Sequence, residues 1–139
     1  MFDNPTMLAE LTRDEGIRNY PYVDTTGNIT IGVGRNLSAD GLSNPEVAML
    51  LADDLALTVA ALDAKLPWWT SLDDVRQRVL VNMCFNLGIG KLLSFVHFLA
   101  AVKAANWPLA VVQMQNSLWA KQVGVRAVRL EQMILTGAT

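Results

Sequence analysis

A long helical segment near the middle of the chain is the feature that most constrains the fold. Ser43 and Glu46 form a capping-box pattern at its start, with Asn44 as an alternative N-cap. Leu66 stands before a proline and therefore ends the helix. A helix of roughly twenty residues is about 30 Å long. In a chain of 139 residues, such a helix predicts two lobes joined by a bridging helix over about 45–66.

The segment before this helix carries a glutamate in an unusual place. Asn4 and the proline after it predict the N-cap and start of a helix over residues 5–15, and Gly16 predicts its end. Glu15 continues the apolar stripe of this helix, where a carboxylate is costly unless it is paired or protonated. The stripe alone leaves a functional role for Glu15 open. The alternative is a glutamate of the last helical turn that points into water.

A predicted β-hairpin follows and brings a second carboxylate. Asp24 ends its first strand, and the turn over 25–28 contains a glycine suited to positive φ. In the second strand, Thr30, Gly32 and Gly34 form a small, polar face on which a ligand can approach the backbone. The other face is apolar and consists of Ile29, Ile31 and Val33. The alternative for Asp24 is an aspartate that only binds the amides of its own turn.

Two carboxylates in unlike environments suit the hydrolysis of a bond between two sugars. One carboxyl group stays protonated and gives its proton to the leaving oxygen. The other stays ionised and activates water or stabilises the cation. Glu15 and Asp24 are therefore the candidate catalytic pair of this chain.

The rest of the chain predicts a helical lobe. Ser71, with an aspartate three residues later, is typical of a capping box, and the helix that follows ends at Gly88. A further helix is predicted over 91–103, and Asn106 caps the next one. A last amphipathic helix ends near Gly137.

These elements together predict an α+β fold that is mostly α. We expect a single domain with a small β-hairpin lobe over about 14–44, a long bridging helix over about 45–66 and a helical lobe over about 67–139. The N-terminal helix, 5–15, is expected to belong to the helical lobe.

Several short motifs stand in a characteristic order along the chain. Asp14-Glu15-Gly16 comes first; Asp24 lies nine residues after Glu15, and Thr30 lies six residues further on. The later motifs are Ser71-Leu72-Asp73, Val75-Arg76, Asn82-Met83, Phe85, Gly88, Ser117, Trp119, Gln122, Arg126-Ala127 and Thr136-Gly137. In this order the chain resembles the phage-type lysozymes, the glycoside hydrolase family typified by the T-even phage enzyme. The resemblance covers most of the chain and implies a lysozyme-like fold of two lobes.

The resemblance also implies a role for each of five residues. Glu15 would be the general acid, Asp24 would hold or activate the attacking water, and Thr30 would help to place it. Arg126 would be the basic partner of Glu15 across the cleft, and Asn86 would contact sugar at the cleft wall. The family implies an inverting single displacement, in which the two carboxyl groups lie about 6.5–9.5 Å apart. No Cys/His cluster in the sequence suggests a metal, and we expect no cofactor.

Arg35 departs from the T-even pattern, which has a histidine after its Gly-x-Gly. We therefore expect Arg35 to be a permanent cation near the cleft and, together with Gly32, to contact the substrate. The segment 35–45 is also shorter than in the T-even enzyme, so the small lobe is expected to lack an extra helix.

The function that the resemblance implies is that of an endolysin-type muramidase. Such an enzyme hydrolyses the β-1,4 bond between N-acetylmuramic acid and N-acetylglucosamine in bacterial peptidoglycan. Three alternatives stay open. A catalytically weak or inactive module of the same fold would only hold peptidoglycan, and a structural virion protein would use the activity during infection. A lytic transglycosylase would leave an anhydro sugar and would need no aspartate to place water.

Composition and termini limit the partners and the location. A formal net charge of −2 argues against general nucleic-acid binding. Residues 1–4 show no signal-peptide pattern, and the apolar stretch 92–102 is too short to span a bilayer. We therefore expect a monomer without membrane insertion that is made in the host cytoplasm. It would reach the glycan strands of the wall, in the periplasm, after release by a holin or on a virus particle.

The other reactive or aromatic side chains are expected to be structural. Cys84 is the one cysteine and lies in an apolar helical run, so a small core residue is favoured over a nucleophile. His97 is expected to be a core or rim residue. Core packing is favoured over sugar stacking for the tryptophans, Trp68, Trp69, Trp107 and Trp119.

Overall fold

The computed structural model describes residues 3–139. The first two residues, which belong to the segment without a signal-peptide pattern, lie outside the described residues. The elements are α1 (Asn4–Glu15), β1 (Arg18–Val23), β2 (Ile29–Gly32), β3 (Arg35–Asn36), α2 (Asn44–Lys65), a 3-10 turn (Pro67–Ser71), α3 (Asp74–Leu87), α4 (Ile89–Leu93), α5 (Val96–Lys103), α6 (Trp107–Gln115), α7 (Leu118–Val123) and α8 (Val125–Thr136). This order confirms an α+β fold that is mostly α.

The chain divides into two compact units. The first ends at Met49, and the second covers Leu50–Thr139. The division falls inside α2, so this helix contributes residues to both units. The lobe boundaries expected from the sequence, and the placing of helix 5–15 with the helical lobe, stay predictions.

The N-terminal helix begins one residue earlier than the sequence suggests. Asp3, rather than Asn4, is the N-cap, because its carboxylate accepts hydrogen bonds from the amide and the hydroxyl of Thr6. At the other end, the amide of Gly16 donates to the carbonyl of Thr12 over 2.9 Å. The helix therefore ends at Glu15, as predicted.

The sheet has three antiparallel strands in the order β1-β2-β3, so the predicted hairpin is extended by a short third strand. Strand β2 ends at Gly32, two residues before the predicted end. Thr30 is 4% exposed, whereas Ile29 is 49% exposed. On β2, the polar residue Thr30 is thus more buried than its apolar neighbour Ile29. The alternation of side chains along a strand predicts two faces, but it does not indicate which face is covered.

The start of α2 confirms the predicted capping box. The amide and hydroxyl of Ser43 donate to Glu46 Oε2 over 2.7 and 2.9 Å, and the Glu46 amide donates to the Ser43 hydroxyl over 3.4 Å. The helix runs for 22 residues to Lys65, as the proline after Leu66 predicts.

The second unit contains the main hydrophobic core. Cys84 is buried within it, as expected, and burial raises the pKa of its thiol. The fully buried centre of the core includes Leu62, Val79, Leu80, Met83, Leu92, Val102, Met114 and Ile134. These residues come from α2, α3, α4, α5, α6 and α8, so the core fixes the helices of this unit to one another.

Two predictions about the second unit are wrong. Asp73 rather than Ser71 caps α3, since Asp73 Oδ1 accepts from the Arg76 amide over 3.0 Å, while the Ser71 hydroxyl donates to the Trp68 carbonyl. The helix predicted over 91–103 is divided into α4 and α5.

The break between α4 and α5 has a local cause. The hydroxyl of Ser94 donates to the carbonyl of Lys91 over 2.6 Å, and Phe95 has a ψ of 56°, outside the helical range. The serine thus ends α4 with a side-chain bond. Helix α7 was not predicted, because Ser117 caps only six residues before Gly124 ends the helix.

The other helix ends follow the sequence signals. Asn106 caps α6 through its side-chain oxygen, Gly88 ends α3 and Gly137 ends α8. Among the described residues, no helix combines the length and the apolar character that crossing a bilayer requires.

Candidate active site

Glu15, the last residue of α1, is exposed and points toward the loop after β2. Glu15 is therefore not buried as the apolar stripe suggests. Its exposure agrees with the alternative of a glutamate that points into water. Its side chain still has a defined neighbour: a methyl group added at Gly34 would lie 3.3 Å from Glu15 Oε2 and 3.5 Å from its carboxyl carbon. A pocket of about 310 Å³ lies here, lined by Leu8, Leu11, Thr12, Glu15, Val33 and Gly34.

Asp24 organises the turn between β1 and β2. Its Oδ1 accepts three hydrogen bonds, from the amide and the hydroxyl of Thr26 at 2.8 Å each and from the Asn28 amide at 2.9 Å. The Asn28 amide first, and then the Thr26 hydroxyl, hold the pKa of Asp24 below its ordinary value, because these bonds favour the ionised form. The turn-binding alternative is therefore observed for Oδ1. Within residues 3–139, the other oxygen, Oδ2, accepts no hydrogen bond.

Thr30 is the central residue of the sheet. It is paired with Tyr22 of β1 on one side and with Asn36 of β3 on the other. Its hydroxyl approaches the Asn28 carbonyl at 3.4 Å, and the same carbonyl accepts the Asp24 amide at 2.9 Å. Asn28 therefore connects Thr30 to Asp24.

Asn28 is a site residue that sequence reasoning missed. Its side-chain amide also donates to the Thr26 hydroxyl over 2.7 Å, so it binds the turn at three points. The available signal was an asparagine directly after a turn glycine, which is common in turns of all kinds and so does not single out a site.

Gly32 ends β2 with a φ of +68°, a backbone conformation that favours glycine. A methyl group added there would have no heavy atom within 4 Å, so the backbone is open on this side. This openness is compatible with the expected approach of a ligand.

Arg35, expected to be a permanent cation near the cleft, is paired within its own unit. Its guanidinium donates to both carboxylate oxygens of Glu46, over 2.6 and 3.2 Å, and to the carbonyl of Gly41 over 3.2 Å. The charge of Arg35 is therefore engaged by a carboxylate within its own unit.

The two remaining candidates, Asn86 and Arg126, belong to the second unit. Asn86 Oδ1, at the end of α3, accepts from the indole nitrogen of Trp119 over 2.8 Å. Arg126 is half-buried near the start of α8, and its Nε donates to Asn82 Oδ1 over 2.8 Å. The ion pair between Arg126 and Glu15 stays a prediction, since Glu15 belongs to the first unit.

The tryptophans are packing residues, as predicted. Trp69 and Trp119 are 6% and 4% exposed, and both indole nitrogens donate to side chains. Trp68 and Trp107 pack against the same core. His97 is exposed near the start of α5. Over residues 3–139, histidine, cysteine and acidic side chains form no group of three that could hold a metal ion.

Comparisons with known proteins agree with the order of the motifs. The family model described as Phage lysozyme matches residues 12–132. The pre-baseplate central spike protein Gp5 of Enterobacteria phage T4 is 33% identical over 165 residues, which cover 97% of this chain but only 29% of that protein. Two proteins of Dictyostelium discoideum, the probable T4-type lysozymes 1 and 2, are 28% and 26% identical, and each match covers 91% of this chain and 92% of the relative.

The family match spans most of the chain and includes Glu15, Asp24 and Thr30. The Dictyostelium discoideum relatives are matched along nearly their whole length, whereas this chain spans less than a third of the phage T4 spike protein. The chain therefore belongs to the phage lysozyme family, and with it to the glycoside hydrolases.

Proposed function

We propose that this chain is a muramidase that hydrolyses the β-1,4 bond between N-acetylmuramic acid and N-acetylglucosamine in bacterial peptidoglycan. One observation carries the proposal. The turn of Asp24 keeps this residue ionised through bonds to one oxygen, while its second oxygen accepts none among the described residues. An ionised carboxylate with an oxygen open to solvent can accept a hydrogen bond from a water molecule and orient it, which is the role of the second carboxylate in an inverting glycosidase.

The proposed reaction is a single displacement with inversion. Glu15 gives its proton to the oxygen between the two sugars, and the bond from that oxygen to the anomeric carbon breaks. Asp24 accepts a proton from a water molecule as the water oxygen bonds to the same carbon from the opposite face. Thr30, linked to Asp24 through Asn28, helps to place the water. The products are two sugar chains, one with a new reducing end.

Three further residues take supporting roles in the proposal. Arg126 pairs with Glu15, and Asn86 contacts a sugar. The Asn86 oxygen binds Trp119, and its amide nitrogen donates to no residue among 3–139. Gly32 lets the glycan approach the open backbone at the end of β2. Arg35 is not proposed as a substrate contact, because Glu46 engages its charge.

The test is the turnover of purified peptidoglycan by the wild type and by three variants, with the product ends identified by mass spectrometry. Glu15→Gln and Asp24→Asn should each abolish turnover while the protein stays folded. Asp14→Asn is the matched control, because Asp14 adjoins Glu15 on α1 and is also exposed, but its carboxylate is paired with Arg13 at 2.8 Å. We expect this control to keep wild-type turnover.

Each result has a distinct meaning for the proposal. New reducing ends from the wild type and from Asp14→Asn alone would support a muramidase that works through both carboxylates. Anhydro ends would identify a lytic transglycosylase instead. Turnover by Glu15→Gln or Asp24→Asn would remove the catalytic role of that residue.

A second candidate function is that of a virion-associated module that holds peptidoglycan with little or no catalysis. Two observations favour it: a relative is described as a pre-baseplate central spike protein, and Oδ1 of Asp24 is committed to the turn. Sedimentation of the wild type with insoluble peptidoglycan, without any new ends, would support this candidate. In either case we propose a monomer that acts on the cell wall after delivery by a holin or on a virus particle.

A further inference from the structure

Strand β3 consists of two residues, Arg35–Asn36. Gly34, the residue before it, lies against the carboxyl group of Glu15, and Asn36 is paired with Thr30. We propose that the ion pair between Arg35 and Glu46 fixes this strand and thereby positions Glu15 and Thr30. The inference rests on the catalytic roles proposed above. Arg35 and Glu46 are positioning residues, which act through the strand and not by touching the substrate.

The geometry of the ion pair restricts the orientation of both side chains. Arg35 Nη2 lies 2.6 Å from Glu46 Oε1, and Arg35 Nη1 lies 3.2 Å from Glu46 Oε2. Two parallel contacts between a guanidinium and a carboxylate restrict the orientation of both groups. A third bond, from Nη1 to the Gly41 carbonyl, ties the same side chain to the loop before α2.

Glu46 is itself held at the first turn of α2. The amide and hydroxyl of Ser43 donate to its Oε2, so the carboxylate takes part in the N-cap of a 22-residue helix. The Ser43 amide first, then the Ser43 hydroxyl and the charge of Arg35, lower the pKa of Glu46. The ion pair therefore connects β3 to the start of a long helix.

The connection to Glu15 passes through Gly34, the residue before Arg35. The carboxyl group of Glu15 lies against this glycine, 3.3 Å from the position that a Cβ would take. Gly34 also has a φ of +73°, a conformation that glycine adopts readily and residues with a side chain rarely do. A displacement of Arg35 would move Gly34 and with it the surface that supports Glu15.

The connection to Thr30 passes through Asn36, the residue after Arg35. Asn36 is paired with Thr30, and Arg35 is paired with Ile31, in the antiparallel register of β2 and β3. A strand of two residues makes few ladder hydrogen bonds and has little stability of its own. Residues after β3 also bind β2, since the Leu37 amide donates to the Ile29 carbonyl over 2.8 Å and the Ile29 amide donates to the Ser38 hydroxyl over 2.9 Å. These bonds hold the far end of β3, so loss of the ion pair loosens the end next to Gly34 and weakens the pairing of Asn36 with Thr30.

The experiment compares Arg35→Gln, Glu46→Gln and the double variant with the wild type. We expect each single variant to lower kcat by about 10- to 100-fold, as a misplacement of catalytic groups by an ångström does. KM should stay within about twofold, because the substrate contacts are not removed. The double variant should lose no more than either single variant, because the two residues act as one pair.

Arg13→Gln is the matched control for a general effect of charge. It removes an ion pair with exposed partners that lies closer in sequence to Glu15 but does not involve β3. Arg35→Lys is the milder variant if Arg35→Gln does not fold, since it keeps one charge but loses the two parallel contacts. All assays are made well below the unfolding temperature of each variant.

A second measurement is independent of activity. In carbon-detected NMR spectra, Arg35→Gln and Glu46→Gln should shift the signals of the Glu15 carboxyl carbon and the Thr30 methyl group, and both variants should shift them in the same direction. Unchanged signals in a folded variant would overturn the inference, and so would an equal loss of kcat in Arg13→Gln. If the wild type has no turnover, the proposed function fails, while the NMR signals still decide whether the pair positions the two residues.

Discussion

The guanidinium carbon of Arg76 lies 3.9 Å from the centre of the Trp107 ring, which joins the start of α3 to the start of α6. The same side chain is only 12% exposed. Its Nε donates to the Ile134 carbonyl over 2.9 Å, and its Nη1 binds Asp73 over 2.7 Å. Arg76 therefore connects three helices of the second unit with one side chain.

Arg76→Met is expected to lower the free energy of unfolding by about 2–4 kcal/mol, from lost hydrogen bonds to carbonyls and a lost cation–π contact. Arg78→Met is the control, because Arg78 forms an i,i+4 pair with Asp74 whose partners are 50% and 82% exposed. Arg78→Met should lower the free energy of unfolding by about 0.5 kcal/mol. Urea unfolding measures both variants, and equal losses would contradict the role of Arg76.

The state of Asp24 leads to a prediction about pH. Hydrogen bonds from the Asn28 amide and the Thr26 hydroxyl lower the pKa of Asp24, so this residue stays ionised to a lower pH than an ordinary aspartate does. Thr26→Val removes the hydroxyl donor and should raise the pKa of Asp24, so activity on the acid side should be lost at a higher pH than in the wild type. Profiles of kcat/KM against pH measure the change. An acid limb that stays in place would show that Asp24 does not control it.

Local signals in the sequence predicted much of the fold. The capping box of Ser43 and Glu46, the cap at Asn106 and the ends at Gly88 and Gly137 all depend on bonds within about four residues. The break at Ser94 is also local, but the sequence did not predict it. A serine hydroxyl can bind a backbone carbonyl in place of the helical amide, and many serines inside helices do not end them.

Contacts between residues distant in sequence were not predictable from patterns. Arg35 and Glu46 are 11 residues apart, and Arg76 and Ile134 are 58 apart. Their pairing depends on turns and helix packing that spacing does not define. For this reason the sequence predicted a permanent cation at Arg35 without its partner Glu46. It also placed Glu15 on an apolar stripe, although this residue is exposed.

Gly34→Ala is expected to impair catalysis more than stability. The positive φ makes any side chain cost about 1 kcal/mol, and the new methyl group would also press on the Glu15 carboxyl group, at 3.3 Å from Oε2. We expect a fall in kcat of about 10-fold or more. Gly88→Ala is the control, since Gly88 has a similar φ of +79° with no atom within 4 Å of an added methyl group. Urea unfolding should give similar losses for both variants, and a fall in kcat in both would show that strain alone is responsible.

Asn86 has two roles that can be measured separately: its hydrogen bond with Trp119 and its proposed contact with sugar. Asn86→Leu leaves the indole N–H of Trp119, a residue 4% exposed, without its acceptor and should lower the free energy of unfolding by about 1–3 kcal/mol.

In a Trp119→Phe background no N–H is left unpaired, so the further effect of Asn86→Leu on unfolding should nearly vanish. If Asn86 also binds sugar, KM should still rise when Asn86→Leu is added to that background, because its amide nitrogen would be the group removed. Urea unfolding and KM on peptidoglycan fragments measure the two roles separately. An unchanged KM in the double variant would limit Asn86 to its structural bond with Trp119.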